Sequence, residues 1–145
     1  MDFKWKPMSP LKLAFLGDAV FEQYVRHHLV VKLDVNTHEL ARFATRFVKA
    51  RAQFQILMDL EPQLTEEERD IVRRGRNQKP KTVPKNAVVA EYRYATGYEA
   101  LIGYLFLSGQ NERLQELIDH AIGFVMGMEE NESNEAPAKI GEHNA

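Results

Sequence analysis

Asp18 is the only charged residue in the run Leu13-Ala14-Phe15-Leu16-Gly17-Asp18-Ala19-Val20-Phe21. Glu99 is set the same way in Tyr98-Glu99-Ala100-Leu101-Ile102-Gly103-Tyr104-Leu105-Phe106. An ionised carboxylate is costly to bury unless it is paired or holds a metal. Two such acids on two helices point to one carboxylate site for a divalent cation. Helical spacing puts Ala14, Asp18 and Glu22 on one face, and Thr96, Glu99 and Gly103 on another. Small residues at Ala14 and Gly103 are expected to leave room for a hydrated ion. Magnesium keeps several waters and often takes only one or two protein carboxylates. The plain alternative stays open at this point: each acid pairs with a base, and Arg93 and Arg26 are available.

A second set of residues has the chemistry of phosphate contact. From Arg73 to Lys85 there are six bases and no acid: Arg73, Arg74, Arg76, Lys79, Lys81 and Lys85. Another stripe, Arg42, Arg46 and Lys49, recurs at helical spacing. Such clusters suit a nucleic-acid backbone, although a solvated basic loop reads the same way. Duplex RNA is read mostly by shape and backbone, so a broad basic surface suffices. The histidines have no metal-type spacing. Tyr92, Tyr94, Tyr98 and Tyr104 read as core or interface residues rather than as base-stacking platforms. No Gly-rich phosphate loop and no Ser/His/Asp or Cys/His nucleophile set can be argued.

Helices must position these residues. Ser9-Pro10 is an N-cap followed by a first-turn proline, and the first helix is expected to run to about Val31. It is apolar on nearly every side, which marks a central helix or one shared with a partner subunit. Gly17 in its middle costs about 1 kcal/mol against alanine, and close approach of another backbone would explain it. A crossing at a dimer interface is the expected place. Asn36-Thr37-His38-Glu39 resembles a capping box, and one helix is expected to carry Leu40 through Met58. Thr65-Glu66-Glu67-Glu68 is a stronger box, opening a helix with acids first and bases last that Gly75 is expected to stop. Residues 76–86 read as a loop. A helix resumes near Ala87 and breaks at Ser108-Gly109, and a last amphipathic helix follows. The expected architecture is all-α, with five or six helices and no strand.

The totals agree with one soluble domain. The chain has 145 residues, 44% hydrophobic and 28% charged, with no cysteine, so disulfides and zinc–thiolate sites are excluded. No apolar run reaches membrane-spanning length, and the N-terminus lacks the apolar core of a signal peptide, so a cytoplasmic protein is expected. The net charge of −2 conceals an uneven distribution. Residues 129–145 hold five acids and one base, leaving 18 bases against 16 acids in residues 1–128. The expected division is a folded domain over 1–128, which the resemblance described next makes the catalytic one, and an acidic, disordered tail over 129–145.

Leu13-Ala14-Phe15-Leu16-Gly17-Asp18-Ala19 resembles the signature stretch of the ribonuclease III endonucleases, with Phe15-Leu16-Gly17-Asp18 its most specific part. Glu99-Ala100-Leu101-Ile102-Gly103 resembles the second carboxylate motif of that family. The resemblance covers residues 8–128, the catalytic domain alone, without the separate double-stranded-RNA-binding domain of full-length members. Arg73-Arg74-Gly75-Arg76-Asn77 and the basic Pro-Lys loop resemble the short branch of the family, the Mini-ribonuclease III enzymes. The resemblance implies the all-α ribonuclease III catalytic fold, in a homodimer. It implies a magnesium-dependent endoribonuclease that cuts double-stranded RNA and leaves 5′-phosphate and 3′-hydroxyl ends. It further implies maturation of the ends of 23S ribosomal RNA precursor, with a large-subunit ribosomal protein as a further partner. Asp18 carries over as the catalytic, metal-binding acid and Glu99 as a metal ligand. Two family acids are missing: this chain has Ala14 and Thr96 in their places, so the cation must rely more on water or RNA. The competing expectations are a dimeric, non-catalytic binder of structured RNA or ribosomal protein, and a helical interaction domain whose acids are ordinary ion pairs.

Overall fold

The computed structural model describes residues 8–78 and 88–128, together with helical backbone on to residue 143. Among the described residues every regular element is helical. They are α1 (Pro10–Lys32), α2 (Thr37–Val48), α3 (Ala50–Leu60), a 3-10 turn (Glu61–Gln63), α4 (Glu66–Arg76), α5 (Val89–Leu107) and α6 (Asn111–His143). α6 runs through most of the acidic segment 129–145; the side chains of that segment lie outside the described residues.

Capping residues set the boundaries largely as expected. The Ser9 hydroxyl accepts from the Leu11 N–H at 3.3 Å, with Pro10 in the first helical turn. The Asn36 side chain accepts from the Glu39 N–H, while the Glu39 carboxylate turns to Arg42 rather than closing the box. Thr65 and Glu68 form a complete reciprocal box. Two expectations are corrected. The expected single helix over residues 40–58 is two, because Lys49 is extended (φ −69°, ψ 151°) and turns the chain between α2 and α3. Gly75 does not stop α4: it is helical and buried, and Asn77 is the C-cap. The break after α5 is at Gly109, whose φ of 73° is the left-handed conformation glycine adopts freely.

α5 is the central rod. α1, α3, α4 and α6 all pack on it, and it buries Ala95, Tyr98, Ala100, Leu101, Ile102, Tyr104 and Leu105. Phe21 of α1 meets Tyr98 edge-on, with centroids 5.2 Å apart and planes at 88°. α1 itself is less central than its composition implies: Phe21, Val25 and Leu29 are buried, but Leu11 is 42% and Phe15 84% exposed. A buried ion pair ties the ends together. The Arg113 guanidinium donates two 2.9 Å hydrogen bonds to the Glu68 carboxylate and one of 2.8 Å to the Gln63 carbonyl. The opening turns of α4 and α6 are thereby fixed to each other.

Candidate active site

The α1–α5 crossing is a backbone-on-backbone contact. A methyl group on Gly17 would lie 1.7 Å from the Glu99 carbonyl oxygen, and one on Gly103 would lie 2.0 Å from the Leu13 carbonyl oxygen. Close approach therefore explains Gly17, but the other backbone belongs to the same chain, not to a dimer partner. The crossing also corrects the expected room at Gly103. The space its missing side chain leaves is filled by α1, and Ala14 is buried.

Because the residue after Gly17 is Asp18, this contact carries Asp18 to Glu99. Asp18 is exposed and Glu99 half-buried, and their carboxyl groups share a hydrogen bond. Burial, the neighbouring Asp18 charge and that hydrogen bond together push the Glu99 carboxyl up to about 9. At neutral pH the Glu99 carboxyl therefore holds its proton beside Asp18. No described base forms an ion pair with either; Arg26 is taken by Glu22 at 2.9 Å. The ordinary ion-pair reading of these acids does not describe this site. The Thr96 hydroxyl is turned away from it, donating to the Tyr92 carbonyl at 3.0 Å. Among the described residues no cluster of three or more histidines or acids forms, so any cation here would have two protein carboxyls.

The basic residues fall on two separate elements. α4 crosses α5 at a second glycine contact: a methyl on Gly75 would lie 2.9 Å from the Gly97 Cα and 3.2 Å from the Thr96 carbonyl oxygen. The last turn of α4 is thereby pressed against the turn of α5 that precedes Glu99. Arg73 pairs with Asp70, Arg74 is half-buried, and the Arg76 guanidinium lies 5.4 Å over the Tyr94 ring. Lys79, Lys81 and Lys85 lie outside the described residues. Arg42 and Arg46 are on α2, where Arg42 holds Glu39 at 3.1 Å and Arg46 sits 5.1 Å over the Phe43 ring. Lys49 is exposed at the α2–α3 turn. α2 and the far half of α1 border one hollow, where Arg26, Leu29 and Val30 face Leu40, Ala41 and Ala44. Spacing alone had not revealed the pairing of Tyr94 with Arg76, nor the glycine pair that joins α4 to α5. Both depend on contacts between distant segments.

The Ribonuclease III domain family model matches residues 11–110, which include both acids and both glycine crossings. The chain belongs to the ribonuclease III family. A Mini-ribonuclease 3 of Brevibacillus brevis is 49% identical over 119 residues, 82% of this chain and 89% of the relative. One of Symbiobacterium thermophilum is 51% identical over 118 residues, 81% and 91% of the two chains. A crystal structure of a Fusobacterium nucleatum protein superposes with a TM-score of 0.74 at 33% identity, covering 81% of this chain and 93% of that one. These likenesses place the chain in the Mini-ribonuclease III branch with the ribonuclease III fold, and make it an endoribonuclease. Among the described residues no helix is long and apolar enough to cross a membrane.

Proposed function

We propose that this ribonuclease III family member is a magnesium-dependent, homodimeric endoribonuclease of double-stranded RNA in the cytoplasm. Its substrate is 23S ribosomal RNA precursor, trimmed at both ends to leave 5′-phosphate and 3′-hydroxyl termini, with a large-subunit ribosomal protein as an accessory partner. The observation that carries this reading is the Asp18–Glu99 pair, two adjoining carboxyls with no neutralising base among the described residues. Such a pair fits a divalent cation, which can take the place of the Glu99 proton. Magnesium, when bound, supplies Lewis acidity toward water and the leaving oxygen. Asp18 and Glu99 would hold it, Asp18 from the exposed face of α1 and Glu99 from the wall formed by α5. The glycine crossing sets the distance between them. The arginines at the end of α4 bind phosphate beside this pair. The 84% exposed Phe15, one turn from Asp18 on α1, supports a second copy docking there.

The decisive comparison is cleavage of a long RNA duplex in magnesium by the wild type and by Asp18→Asn. The substitution keeps shape and removes charge. The expected outcome is cutting by the wild type and none by a folded mutant that still binds RNA. Binding without cutting by the wild type would instead favour a non-catalytic RNA-binding module, whose support is the absence of acids at Ala14 and Thr96.

A further inference from the structure

The first turn of α5 and the last of α4 enclose a hollow of about 290 Å³. It is lined by Arg76, Asn77, Val89, Ala90, Arg93 and Tyr94. Among the described residues its charged groups are two guanidiniums, and no acid lines it. The larger hollow next to it, about 440 Å³, also has three arginines (Arg69, Arg73, Arg76), but Glu61, Glu66 and Asp70 share its lining. There Arg73 is already bound to Asp70, and Arg69 donates to the Glu61 carbonyl. Of the two hollows, the smaller is the one whose described charged lining is wholly basic.

The Arg76 guanidinium is held by an aromatic contact. It lies 5.4 Å over the Tyr94 ring, and Tyr94 is itself fixed edge-on against Phe54 of α3, with centroids 5.3 Å apart. A cation held over a ring by its quadrupole needs none of its N–H donors for that contact, and no hydrogen bond from the Arg76 guanidinium to a described residue competes for them. Arg93, on the next turn of α5 after Val89 and Ala90, is exposed. No described acid forms an ion pair with it.

We propose that Arg76, Arg93 and Asn77 form a binding site for a backbone phosphate of the RNA. In this site Tyr94 is a positioning residue that holds the Arg76 guanidinium for that contact. The assignment rests on the RNA-cleaving reading above and adds two residues to it, Arg93 and Tyr94. The hollow takes a phosphate with a few waters, each of about 30 Å³. Its place relative to the acids is set by one helix: Arg93 precedes Glu99 by six residues, about 9 Å along the α5 axis. The same six residues turn the two positions about 120° apart around that axis.

The test uses the full chain and an RNA duplex. Binding is measured without magnesium over a range of salt concentrations, and cleavage with magnesium at varied RNA concentration. Arg93→Gln and Arg76→Gln should each weaken binding by about 3- to 10-fold and lower the slope of log affinity against log salt by about 1. Their cleavage loss should appear in KM. Tyr94→Leu should match Arg76→Gln, the two together should be no worse than either alone, and Tyr94→Phe, which keeps the ring, should bind as the wild type does. Wild-type affinity, slope and KM in Arg93→Gln and Arg76→Gln, in a protein that binds and cuts duplex RNA, would overturn the phosphate site. Equal losses in Tyr94→Phe and Tyr94→Leu would overturn the positioning role. A wild type that does not bind the duplex at all would remove the RNA reading on which both depend.

Discussion

The carbonyl oxygen of Glu99 occupies the place where a side chain on Gly17 would begin, 1.7 Å from the position of its first carbon. One contact therefore joins the two acidic motifs: the backbone of one acid touches the residue just before the other. Replacing Gly17 by alanine should push α1 off α5. Neither backbone can yield locally, so a loss of at least about 3 kcal/mol is expected, large even for core substitutions. Urea unfolding of Gly17→Ala checks this, and a change under about 1 kcal/mol would show that the crossing is looser than its geometry.

The Asp18–Glu99 pair makes stability depend on pH in a defined direction. The Glu99 carboxyl is raised from 4.5 to about 9, so across that range the folded chain holds a proton that the unfolded chain has released. Unfolding free energy then falls as pH rises through that window. Without metal, Glu99→Gln should stabilise the protein at pH 8 by at least about 1 kcal/mol and give no gain near pH 4. Thermal melts in a chelator at the two pH values measure the difference.

The same proton gives a prediction for the cation. If a divalent ion takes its place, binding at pH 7 should release close to one proton per site, and affinity should rise with pH. Calorimetric titration with magnesium in buffers of different ionisation enthalpy reads that release. Binding with no proton change would separate the cation from Glu99.

Glu68 and Arg113 form the buried counterpart. Burial alone would raise the Glu68 carboxyl, but the hydrogen bonds from Arg113 and Thr65 and the Arg113 charge leave it below 4.5. Its contribution is therefore present at neutral pH and is lost as the solution is acidified through the folded value. Arg113→Met would leave Glu68 buried without its partner and should cost about 3 kcal/mol. Adding Glu68→Gln should restore part of that loss, and a denaturation cycle over the four proteins gives the coupling.

Phe15 supplies a prediction about assembly. A phenylalanine 84% exposed beside the acid pair is expected to be covered by a second copy. Phe15→Asp should convert a dimer to a monomer in sedimentation and reduce cleavage of duplex RNA. An unchanged sedimentation coefficient would move the contact elsewhere.

The sequence announces some of this and hides the rest, for physical reasons. Helix ends were legible at Ser9, Asn36 and Thr65, because a cap is a local hydrogen bond between near neighbours. The break at Lys49 was not, because the apolar period continues across it from Phe47 to Phe54. Gly75 carried the mark of a helix stop, yet its role is the crossing with Gly97, which only the tertiary fold creates. Asp18 and Glu99 stood out because each is alone in an apolar run. That their carboxyls meet follows from Gly17 and Gly103 facing each other's backbones, a contact between segments more than eighty residues apart. The all-round apolar α1 left a central helix and one shared with a partner equally open, since an apolar letter does not say which side of the helix is covered; Phe15 is on the exposed side.

α5 is one unbroken helix from Val89 to Leu107 and carries both Arg93 and Glu99. A continuous helix has a fixed rise and a fixed turn, so it fixes the spacing between Arg93 and Glu99. Lengthening it by a single residue between those positions would shift the grip by about 1.5 Å and rotate it by about 100°. On the phosphate site proposed above, the spacing from grip to acid pair is therefore built into the helix itself.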